Sequence, residues 1–172
     1  MQEGAKRNFI LQQGFDEPAS ATCSPQFSAL QFQGRVVLVW IVAGILLQSS
    51  TLFYILCAVL WWSAVLPELN PFDAVYNSTF GRRAGAFRLT AAPAPRRTAQ
   101  AMAGVFALTC GLLIHYRLST VAYVVEGMFL AAVLALTLGS FCVGSFVYHL
   151  LRGRGAFARQ TLPWTAKGTV DG

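Results

Sequence analysis

Glu126 is the only acidic residue that lies well inside an apolar run of the sequence. A carboxylate in hydrocarbon is costly, so an acidic residue at such a position is by default a candidate functional group. It lies six residues beyond Thr120, about 9 Å along a helix from the outer end of the run. Arg117 or His115, in the adjacent turn, could pair with it. Because this depth is shallow, the simpler interpretation is a partly solvated Glu126 that fixes the turn at the membrane interface.

Cys142 is the second candidate, three residues after Gly139 near the end of the same apolar run. No two of the four cysteines are close in sequence, so a CxxC redox or zinc pair is excluded. Cys57 and Cys110 lie in apolar runs and are expected to be small packing residues.

The sequence predicts neither a catalytic set nor a cofactor site. His115 and His149 fall at opposite ends of the expected bundle, so they cannot share a haem or a metal ion. A Ser/His/Asp set, a glycine-rich phosphate loop and paired carboxylates are not found. We therefore expect no metal, no cofactor and no catalytic residue.

The composition indicates an integral membrane protein. Of 172 residues, 55% are hydrophobic and 12% are charged, and the mean hydropathy is +0.53. Soluble domains average about 25% charged residues, so a disordered chain, a collagen-like chain and a typical cytosolic enzyme are excluded. The elements that position Glu126 and Cys142 are then expected to be helices that cross a lipid bilayer.

Two apolar runs, at 36–66 and 99–151, supply these helices. The first is interrupted at 48–51, which is compatible with one long tilted helix or with two shorter helices. The second breaks at 115–120. The expected helices under the second interpretation of the first run lie at about 32–48, 51–69, 97–114 and 119–150.

The basic residues decide between these interpretations. With two helices in the first run, all thirteen basic residues except Arg117 fall on one side of the membrane, as the positive-inside rule favours. We therefore expect an all-α bundle of four transmembrane helices arranged as two hairpins. The expected segments are a cytoplasmic tail at 1–31, a hairpin at 32–69, a cytoplasmic loop at 70–96, a hairpin at 97–151 and a cytoplasmic tail at 152–172.

This topology predicts a multi-pass protein of a bacterial inner membrane with both termini in the cytoplasm. The excess of basic residues, a net charge of +6, is then explained by the orientation of the helices in the bilayer. A nucleic acid is therefore not expected as a partner.

Small residues form a stripe on the last helix, where Gly127, Ala131, Ala135 and Gly139 recur every four residues. Such a stripe lets a neighbouring helix approach closely. Packing inside the bundle is the expected role, and a docking face for another membrane protein is the alternative.

The segment after the second helix is rich in turn-forming residues. Pro71 ends that helix, and Asp73 could cap the start of a short interfacial helix. Simple termination of the preceding helix is the simpler interpretation.

The ending 140–148, Ser-Phe-Cys-Val-Gly-Ser-Phe-Val-Tyr, resembles a bacterial membrane family known only as a domain of unknown function. Its members commonly end in a Phe-Cys-x-Gly-Cys-x-x-Tyr pattern. The segments 70–72 and 97–100 are also similar, and the resemblance covers about 27–151. It implies two apolar hairpins and membrane thiol chemistry, because a CxxC at a helix end can cycle as a dithiol.

This sequence has Ser145 where the resemblance implies the second cysteine. Cys142 alone cannot form the local disulfide, and Cys23 in the expected tail is the cysteine that could resolve it.

Three functions remain open at this point. The first is a non-catalytic accessory or stabilising subunit of a larger membrane complex, with the bilayer and other membrane subunits as partners. The second is a thiol-redox or sulfur-handling protein that uses Cys142. The third is a small transporter with Glu126 in its pathway.

Overall fold

The computed structural model describes residues 3–82 and 86–165, and within these ranges every regular element is helical. The helices are α1 (Glu3–Gln12), α2 (Ser20–Leu47), α3 (Ser50–Val65), α4 (Pro71–Thr79), α5 (Ala94–His115), α6 (Ser119–Thr137), α7 (Val143–Leu151) and α8 (Gly155–Gln160). Short 3-10 turns, Pro67–Leu69 and Pro163–Thr165, follow α3 and α8.

Three of the described helices, α2, α5 and α6, are long and apolar enough to cross a membrane. The helix α3 is also apolar but has 16 residues. At 1.5 Å per residue it extends about 24 Å, which is shorter than a hydrocarbon core of about 30 Å. The all-helical, membrane-compatible class is therefore confirmed, whereas the count of four spanning helices in two hairpins stays a prediction.

The helix α2 begins at Ser20, well before the start that its sequence predicted near 32. The early part of this helix carries three glutamines whose side chains are buried, Gln26, Gln31 and Gln33. Their polarity is typical of a solvated tail, but Gln31 donates to the Leu136 carbonyl of α6 and Gln33 accepts from Arg96 of α5. At the other end, Gln48 adopts a left-handed backbone conformation with φ of 43°, so α2 ends at the interruption that the sequence predicted.

The last apolar run does not form one helix over 119–150, and that prediction is wrong. Ser140 has φ of 53°, and the N–H of Phe141 donates to the carbonyl of Ala135 at 3.0 Å. This hydrogen bond spans six residues, one more than the corresponding bond of a Schellman helix end, and it closes around a left-handed residue that is not glycine. The chain therefore turns after α6 and restarts as α7.

An apolar core joins α2, α3, α5 and α6. Its largest fully buried side chains are aromatic or branched, among them Ile41, Phe53, Leu56, Leu60 and Phe129. A second cluster joins α1, the start of α2, α4 and the segment before α5, and it includes Phe9, Ile10, Cys23, Tyr76 and Leu89.

The helix α7 packs against α5 at a close backbone contact. A Cβ on Gly144 would lie 2.6 Å from the Cα of Ala99, and backbone atoms cannot give way as a flexible side chain can. Gly144 therefore sets how near α7 lies to α5.

We expect Gly144→Ala to lower stability by about 1–3 kcal/mol, because overpacking forces the two helices apart. Gly127→Ala is the matched control, since a Cβ there meets nothing within 4 Å. This control should be neutral or stabilise by about 0.5–1 kcal/mol, the usual gain of alanine over glycine in a helix. Thermal unfolding of the detergent-solubilised protein, followed by circular dichroism, measures both, and equal melting temperatures would contradict the packing argument.

Candidate functional site

A layer of buried polar side chains joins α2, α4 and α5. The Arg96 guanidinium Nη2 donates to Asp73 Oδ1 at 2.7 Å and to Gln33 Oε1 at 2.9 Å. Gln100 Nε2 donates to the same Gln33 Oε1 at 3.0 Å. All four side chains are buried, and Arg96 is only 4% exposed.

Asp73 is held from its other side by the cap of α4. Asn70 Nδ2 donates to Asp73 Oδ2 at 3.0 Å, while Asn70 Oδ1 accepts from the N–H of Phe72 at 3.0 Å. The cap of this helix is thus Asn70 and not Asp73. Burial raises the pKa of Asp73 above its ordinary value, and the charge of Arg96 opposes this shift.

A cavity of about 70 Å³ adjoins this layer, between α2, α5, α6 and the start of α7. Gln13, Gln33, Arg96, Gln100 and Cys142 supply its polar lining, and the remaining wall is glycine, alanine, valine and leucine. In the part of the chain that the structure describes, two atoms of these residues are buried without a hydrogen-bond partner, Arg96 Nη1 and Gln100 Oε1. Buried polar atoms are normally paired, so two of the residues that line the cavity lack a partner, one for a donor and one for an acceptor.

Cys142 lies at the N-cap position of α7, at the cavity wall. The Ser145 hydroxyl is 3.2 Å from Cys142 Sγ and 3.3 Å from the Pro95 carbonyl oxygen, so it can donate to either. Burial raises the pKa of the Cys142 thiol. The Ser145 hydroxyl, the N–H groups of Gly144 and Ser145, and the charge of Arg96 act in the opposite direction.

The N-terminal helix covers the polar end of this site. Gln12 Oε1 accepts from the N–H of Cys142 at 2.9 Å, and the Gln12 carbonyl oxygen lies 3.0 Å from His149 Nε2. Asn8 Nδ2 reaches the carbonyl oxygens of Gln160 and Leu162 at 3.3 and 3.0 Å. Residues from both ends of the chain therefore close around α7.

Glu126 is fully buried on α6, but it lies away from this cavity and does not line it. Gln48 Nε2 is its partner, 3.3 and 3.2 Å from the two carboxylate oxygens. Arg117 and His115, the partners that the sequence predicted, are exposed. The structure therefore pairs Glu126 with the turn between α2 and α3 rather than with the turn before α6.

Comparison with known proteins supports the resemblance seen in the sequence. The model of the Domain of unknown function (DUF4395) matches residues 27–153. This chain belongs to that family. No curated protein and no solved structure matches it. The DUF4395 segment contains the whole polar layer and Cys142, while α1 and α8 lie outside it.

The four cysteines of this DUF4395 protein are free and buried. Cys23 packs in the second apolar cluster, which does not contain Cys142. The prediction that Cys23 lies in a mobile tail is therefore wrong, because Cys23 is packed within α2, whereas its pairing with Cys142 stays a prediction. No group of three or more histidine, cysteine or acidic side chains within residues 3–82 and 86–165 is placed to hold a metal ion.

The small-residue stripe of α6 faces mostly outward. Gly127, Ala131 and Gly139 are exposed and Ala135 is half-buried. The buried face of α6 consists of other residues, Ala122, Glu126, Phe129 and Val133.

Sequence reasoning missed Arg96, Gln33 and Gln100, and it considered Asp73 only as a helix cap. Arg96 was counted among the basic residues of a cytoplasmic loop, and a sequence alone does not show which arginine is buried. The available signal was the run of glutamines before the first apolar segment, which are unusual so close to a membrane-spanning stretch.

We expect the rate of Cys142 alkylation by iodoacetamide to keep rising above about pH 8.5, where an ordinary thiol is half ionised. The thiolate is the nucleophile, and burial disfavours it. Ser145→Ala should slow the reaction by at least about tenfold at a pH below the pKa, because a hydrogen bond to a charged group contributes about 1.5–3 kcal/mol. Peptide mass spectrometry of the detergent-solubilised protein follows Cys142 separately from the other cysteines.

Ser78→Ala is the control for this experiment, since the Ser78 hydroxyl is exposed and bonds within its own helix. The pH at which the alkylation rate is half its maximum is also measured for the chain unfolded in detergent and urea. If this pH were the same for the folded and the unfolded chain, the environment of Cys142 would have no influence on its pKa.

Proposed function

We propose that this DUF4395 protein is a membrane thiol protein in which Cys142 accepts a single sulfur atom from a small molecule in the cavity. The observation that carries the proposal is that Cys142, the nucleophile of the cavity wall, shares that wall with the buried guanidinium of Arg96. Burial raises the pKa of Cys142, and the charge of Arg96 together with the N–H groups at the start of α7 acts against that shift in favour of the thiolate.

One thiol is sufficient for this chemistry, whereas a dithiol cycle needs two. Ser145 occupies the position at which the family resemblance implies a second cysteine, and its hydroxyl lies 3.2 Å from Cys142 Sγ. A hydroxyl cannot form a disulfide but can donate a hydrogen bond to a thiolate. Sulfur transfer is thus favoured over disulfide cycling.

The step we propose is thiol–persulfide exchange. The Cys142 thiolate attacks the outer sulfur of a small organic persulfide, and a new S–S bond forms. The original S–S bond breaks, and the donor leaves as a thiolate that takes up the proton released by Cys142. The products are a Cys142 persulfide and a thiol, so no external oxidant or reductant is consumed.

We expect the folded protein, incubated with a small alkyl persulfide, to gain one sulfur atom on the peptide that contains Cys142. Added dithiothreitol should remove that atom, and both changes are read by mass spectrometry. Cys142→Ala should abolish the uptake. Cys57→Ala, which removes another buried thiol from the apolar core, should leave it unchanged.

An unmodified Cys142 under conditions in which the unfolded chain takes up sulfur would contradict the proposal. Equal uptake at Cys57 and Cys142 would show non-specific persulfidation and would also contradict it.

A second candidate is the accessory subunit, non-catalytic and associated with other membrane proteins. The outward direction of the α6 stripe supports it, because small exposed residues let a partner helix approach closely. Where no partner helix covers it, the stripe of α6 is expected to face the lipid bilayer.

For this candidate we expect Ala131→Leu to displace a partner that co-purifies from native membranes in mild detergent, because the larger side chain blocks close helix approach. Met128→Leu, at a neighbouring exposed position of α6, is the matched control and should retain the partner. Migration of the unaltered chain as a single small bundle would count against the subunit role.

A transport role for Glu126 has less support. Its carboxylate is 1% exposed and is held by Gln48, and the cavity beside Cys142 does not include it. The pathway remains a prediction from the sequence.

A further inference from the structure

We propose that the cavity beside Cys142 recognises a neutral primary amide or undissociated carboxylic acid, bound between Arg96 Nη1 and Gln100 Oε1. The inference rests on the proposed function, because it names the class of molecule that the thiol meets. It is carried by the unpartnered atoms of two residues that line the cavity and by the hydrogen bonds that orient these two side chains.

The donor side of the site is Arg96. Its Nη2 is already occupied by Asp73 and Gln33, whereas Nη1 is buried without a partner in the described structure. A guanidinium has donors only, so Nη1 requires an acceptor from an occupant.

The acceptor side is Gln100, and its orientation is set by Arg96. Because Arg96 can only donate, the atom of Gln33 that faces it is the oxygen. The same oxygen faces Gln100, so Gln100 presents its Nε2 there and turns its Oε1 away. This Oε1 has no partner in the described structure and requires a donor.

A group that satisfies both atoms carries an acceptor and a donor side by side. A primary amide does so with its carbonyl oxygen and N–H, and a carboxylic acid does so with its carbonyl oxygen and O–H. A carboxylate lacks the donor and would place its charge against Gln100 Oε1. The charge of Arg96 is already balanced by Asp73 at 2.7 Å, which also favours a neutral group.

The apolar part of the wall limits the substituent that the polar group can carry. Leu30, Val37, Leu60, Val133 and Leu136 are aliphatic, so a short aliphatic chain fits better than a second polar group. The volume of about 70 Å³ admits a molecule of only a few heavy atoms, and water is the competing occupant.

The experiment compares three thiol reagents on the full-length protein at alkaline pH. Iodoacetamide carries both the acceptor and the donor, N,N-dimethyliodoacetamide lacks the donor, and iodoacetate is an anion. Each rate at Cys142, followed by mass spectrometry, is divided by the rate of the same reagent with a small free thiol.

We expect the normalised rate of iodoacetamide to exceed that of the other two reagents by at least about fivefold. A buried polar atom left without its partner costs about 1–3 kcal/mol, or roughly 5–150-fold in rate. Gln100→Met should remove the preference. Gln31→Met is the matched control, because Gln31 is also buried with an unpartnered Oε1 but does not line the cavity.

Equal normalised rates that do not depend on Gln100 would overturn the inference in favour of water as the occupant, while sulfur uptake by Cys142 could still occur. A preference for iodoacetate would overturn it in favour of an anion. A folded protein in which Cys142 reacts with none of the reagents, although the unfolded chain does, would overturn both this inference and the proposed function.

Discussion

Arg96 and Asp73 place opposite charges in the interior, 2.7 Å apart and almost without access to water. Removing two such groups from water costs several kcal/mol per ion, and the cost is offset only when the geometry is good and the remaining polar atoms are bonded. Asn70 bonds the second oxygen of Asp73 and Gln33 bonds Arg96 Nη2, whereas Arg96 Nη1 has no partner in the described structure. Because the participants lie on α2, α4 and α5, this layer fixes how three helices meet, and the cavity adjoins it between α2, α5 and α6.

Two kinds of interior therefore coexist in one chain. The apolar core between α2, α3, α5 and α6 is held by burial, which has no preferred direction. The polar layer is held by hydrogen bonds with defined donors and acceptors, which allow few alternative helix rotations. Cys142 lies next to the polar layer, across the cavity that adjoins it. A reactive group benefits more from a fixed position than from additional burial.

The coarse architecture was predictable because it depends on sums over many residues. The low charge content and the long apolar runs indicate membrane-compatible helices whatever their partners are, and the polar interruption at Gln48 correctly locates the end of α2. The family was also recognisable, from a short ending that surrounds Cys142.

The site depended on individual contacts and was not predictable in the same way. Arg96 differs from the neighbouring Arg97 only in what the fold places beside it, so charge counting treats both alike. Gly139 was assigned to a stripe by its spacing, although the left-handed turn at Ser140 ends the helix there. In both cases a tertiary contact or a single backbone angle overrides a periodic pattern.

Gln12 contributes a hydrogen bond to the backbone of Cys142 from a helix that the family-matching segment does not include. Gln13, from the same end of the chain, lines the cavity beside that thiol. The immediate surroundings of Cys142 are therefore completed by residues that lie outside the segment on which family membership rests.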